Sequence, residues 1–538
     1  MPLTLTLHGA ARTVTGSCLE FALDGTRLLV DCGMFQGSRT LEALNRANGI
    51  ERPGEIAGVI LTHAHIDHSG LLPRLVKDGY GGDIFCTTET ADLLEFMLAD
   101  SGRIQEGEAE RAARRRDRRR EDLAGPLYTE DDALRAWRAA RAVALEEWFE
   151  PAPGFRARLW NAGHILGAVS VEIEAGGVRV MCSGDIGPEN KAFYPDPEGP
   201  AGFDHVICES TYGNRVRERQ TIGQRREALA GVINEARAKG GNLVIPAFAL
   251  ERTQELLLDI AMLSRGGAIG NAMVFVDSPL ANHATDVFAR HASDLEDTEG
   301  INPFRHPAIH YTSDVAESMR LNTISGAIII AASGMCEAGR IRHHLFHNLA
   351  RRDSTVLFVG FQAQGSLGRV ILDGAQRVRI SGRDVLVRAA IRRIDSYSAH
   401  ADQSELLAWI RGREPIRGSL LLDHGEGEAV DALAALVGQG PDAPVVRVPE
   451  IGDVWELAPG AAAKRLRTGP PQVARAVGRD WQNAYADLAS SLKHRLEAIR
   501  DEAAREKAIA EMRKILDSYA QARANKAVRR GPSFSGAG

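Results

Sequence analysis

The sequence predicts an α/β protein in which a domain with a parallel sheet is inserted into a second domain made of short strands. Strand-like segments separated by glycine turns fill residues 1–210, and helical and strand-like segments alternate over residues 211–380. The short-strand pattern then returns over residues 381–460. We therefore expect one sheet domain in two parts around an inserted α/β domain, followed by a helical C-terminal tail at 461–538.

The first part consists of segments with two-residue alternation of apolar and polar residues. LTLTLHG at 3–9, TRLLVDCG at 26–33 and SVEIEAGG at 170–177 each end in a glycine that suits a tight turn. GVILT at 58–62 and DHVICES at 204–210 contain unbroken apolar runs, which are typical of strands buried on both faces. These segments predict a meandering sheet with buried central strands.

Residues 89–148 interrupt the strands with a helical insert that carries a run of arginines. Within the motif ERAARRRDRRRE, the clustered arginines are Arg114, Arg115, Arg116, Arg118, Arg119 and Arg120. A solvated helix face explains such a run, and so does a contact with RNA. Both interpretations stay open on the sequence alone.

The inserted domain is predicted from segments that alternate between helix and strand. QRREALAGVINEARAKGG is amphipathic and ends on glycines, NLVIPAFAL reads as a buried strand, and ERTQELLLDIAMLSRGG reads as a second helix. AMVFVDSPL, GAIIIAASG and STVLFVGFQ continue the alternation. This order is typical of a parallel sheet covered by helices.

Composition and charge limit the functions and the cellular location that we expect for this protein. The net charge of -6 argues against a uniformly basic nucleic-acid binder. The six cysteines are dispersed with no C-x-x-C pair, so we expect buried free thiols in a reducing compartment. The N-terminal MPLTLTLHGA shows no signal peptide, and no segment reaches about 18 uninterrupted apolar residues. We therefore expect a cytoplasmic protein with no membrane partner.

The strongest chemical signal is LTHAHIDHSG at 61–70, directly after an apolar strand. His63 and His65 are two positions apart on an extended segment, so their side chains project to the same side. Asp67 and His68 follow where a helix is predicted to begin. A single catalytic metal ion needs about three protein ligands. Four candidate ligands at one corner, with others elsewhere, indicate two metal ions.

Other candidate ligands lie at the ends of predicted strands. His164 lies in NAGHILG, Asp185 in MCSGDIG, His424 in LLLDHGEG and Asp31 in RLLVDCG. Taken singly, a histidine or aspartate in such a place usually shapes or caps a turn. Three imidazoles within six positions have no comparable structural explanation, and their presence makes the four residues candidates for the same site.

These motifs resemble those of the metallo-β-lactamase fold. H-A-H-I-D-H with the downstream His164 and Asp185 matches its signature, while CESTYG around Glu209, SAHAD around His400 and DHGE around His424 are similar to the added motifs of the β-CASP branch. PAFALERTQELL, AASGMCEAGR and GFQAQGSLGR resemble its RNA-directed members, and the likeness covers about residues 1–460. It implies an αββα sandwich with an inserted β-CASP domain.

The resemblance also implies a set of metal ligands. His63, His65, His164 and Asp185 would hold one Zn²⁺. A second Zn²⁺ would be held by Asp67, His68, His424 and the shared Asp185. Asp31 would orient a ligand histidine. Zinc rather than manganese is expected from the histidine-rich ligand set together with this resemblance.

The same resemblance implies the chemistry. Two zinc ions would activate a water molecule and neutralise the scissile phosphate. His400 would protonate the leaving oxygen and Glu209 would orient it, so that the catalytic set is His400, Glu209 and Asp67. Ser333 and Gly334, in a turn after a predicted strand, are candidate phosphate contacts. Arg369 is either another phosphate contact or part of a structural ion pair.

The leading hypothesis is a zinc-dependent ribonuclease that acts on single-stranded RNA, because only an extended strand should thread a cleft covered by the inserted domain. Endonucleolytic and 5′–3′ exonucleolytic action stay open. Alternatives are a small-molecule hydrolase of the thioesterase or lactamase type, a DNA nuclease, and a scaffold without catalysis. His424 disfavours the DNA nuclease, since RNA-cleaving members resemble this motif more closely. A homodimer is one candidate assembly.

Overall fold

The computed structural model describes residues 2–528 apart from 48, 115–124, 219, 361, 363–364, 440–442, 472, 474–491, 493–494 and 497. Two compact units follow each other along the chain, Met1–Gly478 and Arg479–Gly538. The predicted Arg-rich run lies mostly outside the described residues, with only Arg114 at the end of a described helix.

The first unit contains three main sheets. In chain order its strands are β1 Leu3–Leu7, β2 Leu19–Leu23, β3 Thr26–Val30, β4 Ile56–Ile60, β5 Ile84–Cys86, β6 Ala140–Ala142, β7 Phe149–Ala152, β8 Phe155–Asn161, β9 Val169–Ala175, β10 Val178–Cys182, β11 Phe203–Glu209, β12 Leu243–Pro246, β13 Val274–Val276, β14 Ile309–Tyr311, β15 Ile328–Ala331, β16 Thr355–Phe358, β17 Arg377–Ile380, β18 Arg383–Leu386, β19 Ala390–Arg393, β20 Ile416–Asp423, β21 Val445–Arg447, β22 Val454–Ala458 and β23 Ala461–Arg467.

The described helices of the first unit cover these sheets, and the second unit contains one further described helix. In chain order the α-helices are α1 Arg39–Glu42, α2 Ile66–Ser69, α3 Leu72–Lys77, α4 Thr88–Arg114, α5 Glu130–Arg138, α6 Ile222–Lys239, α7 Arg252–Arg265, α8 Pro279–Arg290, α9 Val315–Arg320, α10 Ile341–Asn348, α11 Leu367–Leu372, α12 Gln403–Arg411, α13 Gly427–Val437 and, in the second unit, α14 Glu502–Val528. None of the helices in the described part of the chain is both long enough and apolar enough to cross a membrane.

Two sheets form the sandwich that the sequence predicts. Their strand orders are β23-β22-β1-β2-β3-β4-β5-β6 and β21-β20-β11-β10-β9-β8-β7. Apolar side chains of both, such as Phe21 and Val171, share one buried core. Helices α3 and α4 pack on the outer face of the first sheet, and α12 and α13 pack on the outer face of the second. The result is the predicted αββα arrangement.

The inserted segment between β11 and β20 builds a third sheet. Its order is β14-β13-β15-β12-β16-β19, and every neighbouring pair is parallel. Helix α6 begins with a capping box at Thr221 and ends at Gly240, whose φ of 76° suits glycine. The alternation of helices and strands in the sequence therefore predicted the correct class of sheet.

The structure differs from the sequence prediction in three places. The helical insert predicted at 89–148 also contributes β6, which pairs in parallel with β5 at the edge of the first sheet. Strand β19, assigned by the sequence to the returning short-strand segment at 381–460, pairs in parallel with β16 and belongs to the third sheet. The segment 461–467, assigned by the sequence to the helical tail, forms β23 and pairs with β22. All three are edge strands in which most side chains are at least partly exposed, so their sequences lack a strong apolar alternation.

Candidate metal centre and active site

One corner of the first sheet presents the histidine cluster. His63 and His65 follow β4, and the short helix α2 carries Asp67 and His68. Backbone hydrogen bonds fix this corner, since Ser17 N–H donates to Asp67 O and Cys32 N–H donates to His68 O, both at 2.8 Å. A Cβ atom on Gly33 would lie 1.6 Å from Asp67 O, so only glycine allows this close backbone approach.

The first donor cluster joins this corner to two loops of the second sheet. His63 Nε2 lies 3.1 Å from His65 Nδ1, and His164 Nε2 lies 3.2 Å from the same Nδ1. Asp185 Oδ2 is 3.6 Å from His63 Nε2 and 3.5 Å from His164 Nε2. Ligand atoms on one tetrahedral zinc ion are about 3.3 Å apart. These four side chains therefore have the spacing of a metal site.

The second donor cluster lies beside the first. His68 Nε2 is 3.1 Å from His424 Nε2, which is 3.8 Å from Asp67 Oδ2. Asp185 Oδ1 is 3.2 Å from His68 Nε2 and 3.4 Å from His424 Nδ1. Each oxygen of the Asp185 carboxylate thus faces a different cluster.

Asp185 and His424 meet because of the sheet topology. Strand β11 pairs in parallel with both β10 and β20, so the carboxyl ends of these three strands lie at one edge. Asp185 follows β10, Glu209 ends β11 and His424 follows β20. Polar residues from distant parts of the chain are therefore brought to one place, as parallel strands commonly do.

The ring nitrogens of the first cluster that carry no proton indicate that a cation binds between them. His164 Nδ1 donates to Ala399 O at 2.8 Å, so the neutral ring leaves Nε2 as a bare acceptor. That acceptor points at His65 Nδ1, as does His63 Nε2. Asp185 Oδ2 faces the same imidazoles, 3.6 Å from His63 Nε2 and 3.5 Å from His164 Nε2. Nitrogen lone pairs that converge beside a carboxylate oxygen fit a divalent metal ion in their midst.

Burial sets the charge of the first cluster. It lowers the pKa of His65 to about 4 and holds the pKa values of His63 and His164 well below their ordinary range. These imidazoles are therefore neutral near pH 7, which metal ligation requires.

Neighbouring carboxylates set the charge of the second cluster. Burial lowers the pKa of His424, but Asp185 and Asp67 outweigh it and raise that pKa to about 9. Burial likewise opposes a rise at His68, whose pKa is nevertheless held well above its ordinary value by Asp185 and Asp31. Without a metal ion, protons take the place of the cation beside these carboxylates.

Asp31 lies where the sequence predicted a residue that orients a ligand. Its Oδ2 is 2.7 Å from His68 Nδ1 and accepts from Thr62 Oγ1 at 3.0 Å, while Oδ1 accepts from Thr62 N–H at 2.8 Å. Asp31 and His424 both adopt left-handed backbone conformations, with φ of 63° and 42°. Such strain is tolerated where the surrounding structure imposes it and is concentrated at functional sites.

The predicted pair of Glu209 and His400 forms at the edge of the metal centre. Glu209 Oε1 lies 3.4 Å from His400 Nδ1 and accepts from Ile186 N–H at 2.6 Å. The Glu209 side chain is fully buried, whereas that of His400 is 21% exposed. His400 Nδ1 is also 3.9 Å from Asp185 Oδ2. His400, the residue that the sequence predicts as the proton donor, therefore lies next to both donor clusters and is partly exposed.

Comparison with known proteins identifies the family. Models of the metallo-beta-lactamase superfamily, the Beta-Casp domain and the Zn-dependent metallo-hydrolase RNA specificity domain match residues 12–220, 253–371 and 384–445. A ribonuclease of Thermus thermophilus is 35% identical over 438 residues, which are 80% of this chain and 94% of the relative. The chain belongs to the β-CASP ribonuclease family.

Further relatives of this β-CASP protein come from archaea. An RNase J-like protein of Methanocaldococcus jannaschii is 27% identical, with 78% of this chain and 92% of the relative covered. The transcription termination factor FttA of Methanothermobacter thermautotrophicus is 29% identical, with 80% of this chain and 68% of the relative covered. The family assignment and the donor clusters together establish metal binding in this β-CASP protein.

The candidate phosphate contacts lie in the inserted β-CASP domain. Ser333 N–H and Oγ both bond within their own turn, to Ala338, and a Cβ on Gly334 would lie 2.7 Å from the Phe248 ring. Arg369 Nε donates to both carboxylate oxygens of Asp373 at 2.9 Å. The arginine is therefore in an ion pair, one of its two predicted states, and its contact with phosphate stays a prediction.

Several residues that support the β-CASP centre were not among the predicted site residues. Thr211 Oγ1 is 3.2 Å from His424 Nδ1, and Lys191 Nζ donates to His164 O. Tyr212 places its ring edge-on to that of His400, with centroids 5.8 Å apart. Thr211 and Tyr212 lie within the motif CESTYG around Glu209 and could have been found from it. Lys191 has no such neighbouring motif.

Proposed function

We propose that this protein hydrolyses phosphodiester bonds of single-stranded RNA with two Zn²⁺ ions. The observation that carries the proposal is Asp185, whose two carboxylate oxygens face two separate donor clusters, with the Glu209–His400 pair beside them. Such an arrangement suits a reaction that needs both charge neutralisation and a proton for the leaving group.

The proposed ligands divide between the ions as the clusters do. One Zn²⁺ would be held by His63, His65, His164 and Asp185, and the other by Asp67, His68, His424 and Asp185. The abundance of imidazole favours zinc over harder cations, which prefer all-oxygen sites. Asp31 would keep the His68 tautomer that leaves Nε2 free for the metal.

When bound, the two ions would neutralise the scissile phosphate and lower the pKa of a water molecule that attacks it. His400 would supply the proton for the leaving sugar oxygen. Glu209 accepts from its Nδ1–H, so the Nε2–H is left to face the substrate. Glu209 is itself fixed by the N–H groups of Ile186 and Thr211, which keeps the His400 ring in place. Asp67 would complete the catalytic set at the second ion.

RNA is the favoured substrate for two reasons. The Zn-dependent metallo-hydrolase RNA specificity model matches 384–445, the segment that holds His400 and His424. The Thermus thermophilus relative is a ribonuclease and aligns over most of its length. Ser333 and Gly334 are proposed as phosphate contacts, and Arg369 would have to exchange Asp373 for RNA. The cytoplasm and a homodimer are the proposed location and assembly, the latter testable by light scattering.

The test compares three substrates with one preparation of protein. Zinc content is measured first, and the protein is then incubated with 5′-labelled single-stranded RNA, DNA of the same sequence, and a thioester. We expect zinc-dependent RNA cleavage that His400→Ala strongly reduces without loss of zinc. The exposed His310, replaced by alanine, is the matched control. Thioester turnover without RNA cleavage would refute the proposal, and the product lengths distinguish endonuclease from 5′–3′ exonuclease action.

A further inference from the structure

Helix α7 of the inserted domain begins at a residue with an unusual backbone. Glu251 has φ of 71° and ψ of −63°, a conformation that costs energy for any residue with a side chain. Its carboxylate does not cap the helix. Instead it lies 2.6 Å from Lys191 Nζ through Oε1, and it accepts from the Tyr194 hydroxyl at 2.8 Å through Oε2. In this backbone conformation, the buried carboxylate faces a lysine of the lactamase domain.

Lys191 connects Glu251 to a candidate metal ligand. Its side chain is only 3% exposed, and Nζ donates to the backbone carbonyl of His164. His164 in turn donates from Nδ1 to Ala399 O, the residue immediately before His400. The Lys191–Glu251 ion pair is thus linked by hydrogen bonds to the loop of His164, a proposed zinc ligand, and to the loop of His400, the proposed general acid.

The same helix touches the His400 loop a second time, two turns further on. Asp259 Oδ2 accepts from the hydroxyl of Tyr397 at 2.9 Å, and Tyr397 is fully buried three residues before His400. Arg225 donates to Asp259 at 2.8 Å, which holds the carboxylate in place. The contacts close into a ring that runs from α7 through Lys191, His164 and the 397–399 segment back to α7.

We infer that Lys191 and Glu251 are positioning residues that set the place of His400 relative to the metal ligand His164. The inference rests on the proposed function. A buried ion pair contributes little to stability compared with apolar residues of the same size, so its presence at this junction calls for another role. Fixing two loops in a closed ring of contacts meets the need for catalytic groups held to within a fraction of an ångström.

The test removes the ion pair without leaving an unpaired buried charge. The double variant Lys191→Met/Glu251→Gln replaces both groups by neutral side chains of similar size, which limits the risk of misfolding. Glu172→Gln is the matched control, because Glu172 is also fully buried between two cations, Arg158 and Arg179, and contacts no candidate ligand. Zinc content and thermal unfolding are measured for each protein.

Two substrates then distinguish the loss of His400 positioning from a general loss of activity. RNA has a poor leaving group that needs a proton, whereas bis(p-nitrophenyl) phosphate releases a nitrophenolate that needs none. For the double variant we expect kcat on RNA to fall about 10–100-fold with little change in KM, which is the usual effect of losing a residue that supports a ligand. Hydrolysis of the nitrophenyl ester and zinc content should change much less.

The other possible results would contradict the inference. Equal losses on both substrates, or loss of zinc, would show that the pair only maintains the fold or the metal site, and would overturn the positioning role. Unchanged kcat on RNA would overturn it as well. If the wild-type protein itself cleaves no RNA, the proposed function fails first, and that result is visible before any variant is compared.

Discussion

Replacing Asp31 by asparagine is a sharp test of how the second donor cluster is organised. The substitution keeps the shape of the side chain, and asparagine tolerates the left-handed backbone at this position. One oxygen can still accept from Thr62 N–H. The new amide group, however, faces the hydroxyls of Thr62 and Ser17 and the Nδ1 atom of His68, which all donate to the carboxylate in the native protein.

The size of the effect follows from these contacts. An amide beside His68 Nδ1 favours the tautomer that carries its proton on Nε2, the atom that faces His424 at 3.1 Å. A metal ion would have to displace that proton. A hydrogen bond to a charged group contributes about 1.5–3 kcal/mol. At about 1.4 kcal/mol for each factor of ten, we expect zinc affinity at this cluster to fall roughly 10–100-fold.

Competition with a chelating dye measures this affinity, with zinc stoichiometry after dialysis as a second measurement. Asp24→Asn is the control, since Asp24 also has a positive φ but is exposed in a turn between β2 and β3. A folded Asp31→Asn protein that keeps both zinc ions at wild-type affinity would refute the proposed link between Asp31 and the metal.

Three further predictions concern the same centre. His400→Ala should lower kcat on RNA about 10²–10⁴-fold at unchanged zinc content, because the residue transfers a proton but does not hold the metal; equal activity would contradict this role. Asp185→Asn should reduce bound zinc at both clusters, because each carboxylate oxygen faces one of them, and full occupancy by metal analysis would disprove the sharing. In the chelator-treated protein, burial lowers the pKa of His65 from 6.5 to about 4, so the unfolded chain binds a proton in that interval that the folded chain does not. The free energy of unfolding should therefore fall as the pH drops from 6.5 to about 4, by at most about 3 kcal/mol from this residue, and a pH series of denaturant titrations should show a smaller fall for His65→Ala.

Local sequence patterns predicted the parts of the molecule that depend on local interactions. The H-A-H-I-D-H motif places four side chains within six positions, so a strand followed by a helical turn is enough to bring them to one corner. The parallel sheet of the inserted domain follows likewise from repeated helix and strand segments. His164, Asp185 and His424 were candidates because of their motifs, and the structure brings all three to that corner.

Other contacts are not encoded in any one segment. Lys191 lies in PENKAFY and Tyr397 in RIDSYS, neither of which has a period or spacing that indicates a buried partner. Their partners, Glu251 and Asp259, are on a helix of another domain. Such pairs depend on how distant parts of the chain pack together, which a pattern within one segment cannot predict. Edge strands such as β23 were missed for a related reason, since few of their side chains are buried.

The position of the inserted domain has a consequence for the order of folding. Glu209 of β11 is paired with Asp423 of β20, so a link of more than two hundred residues separates two neighbours in one sheet. Closing a flexible loop of that length costs roughly 3 kcal/mol more than closing one of ten residues. If the parallel sheet and its helices form first, the two ends of the inserted segment are already close together. Most of the entropy cost of closing the loop then arises during folding of the inserted domain. We therefore expect the metal cleft to be completed late, after the inserted domain has folded.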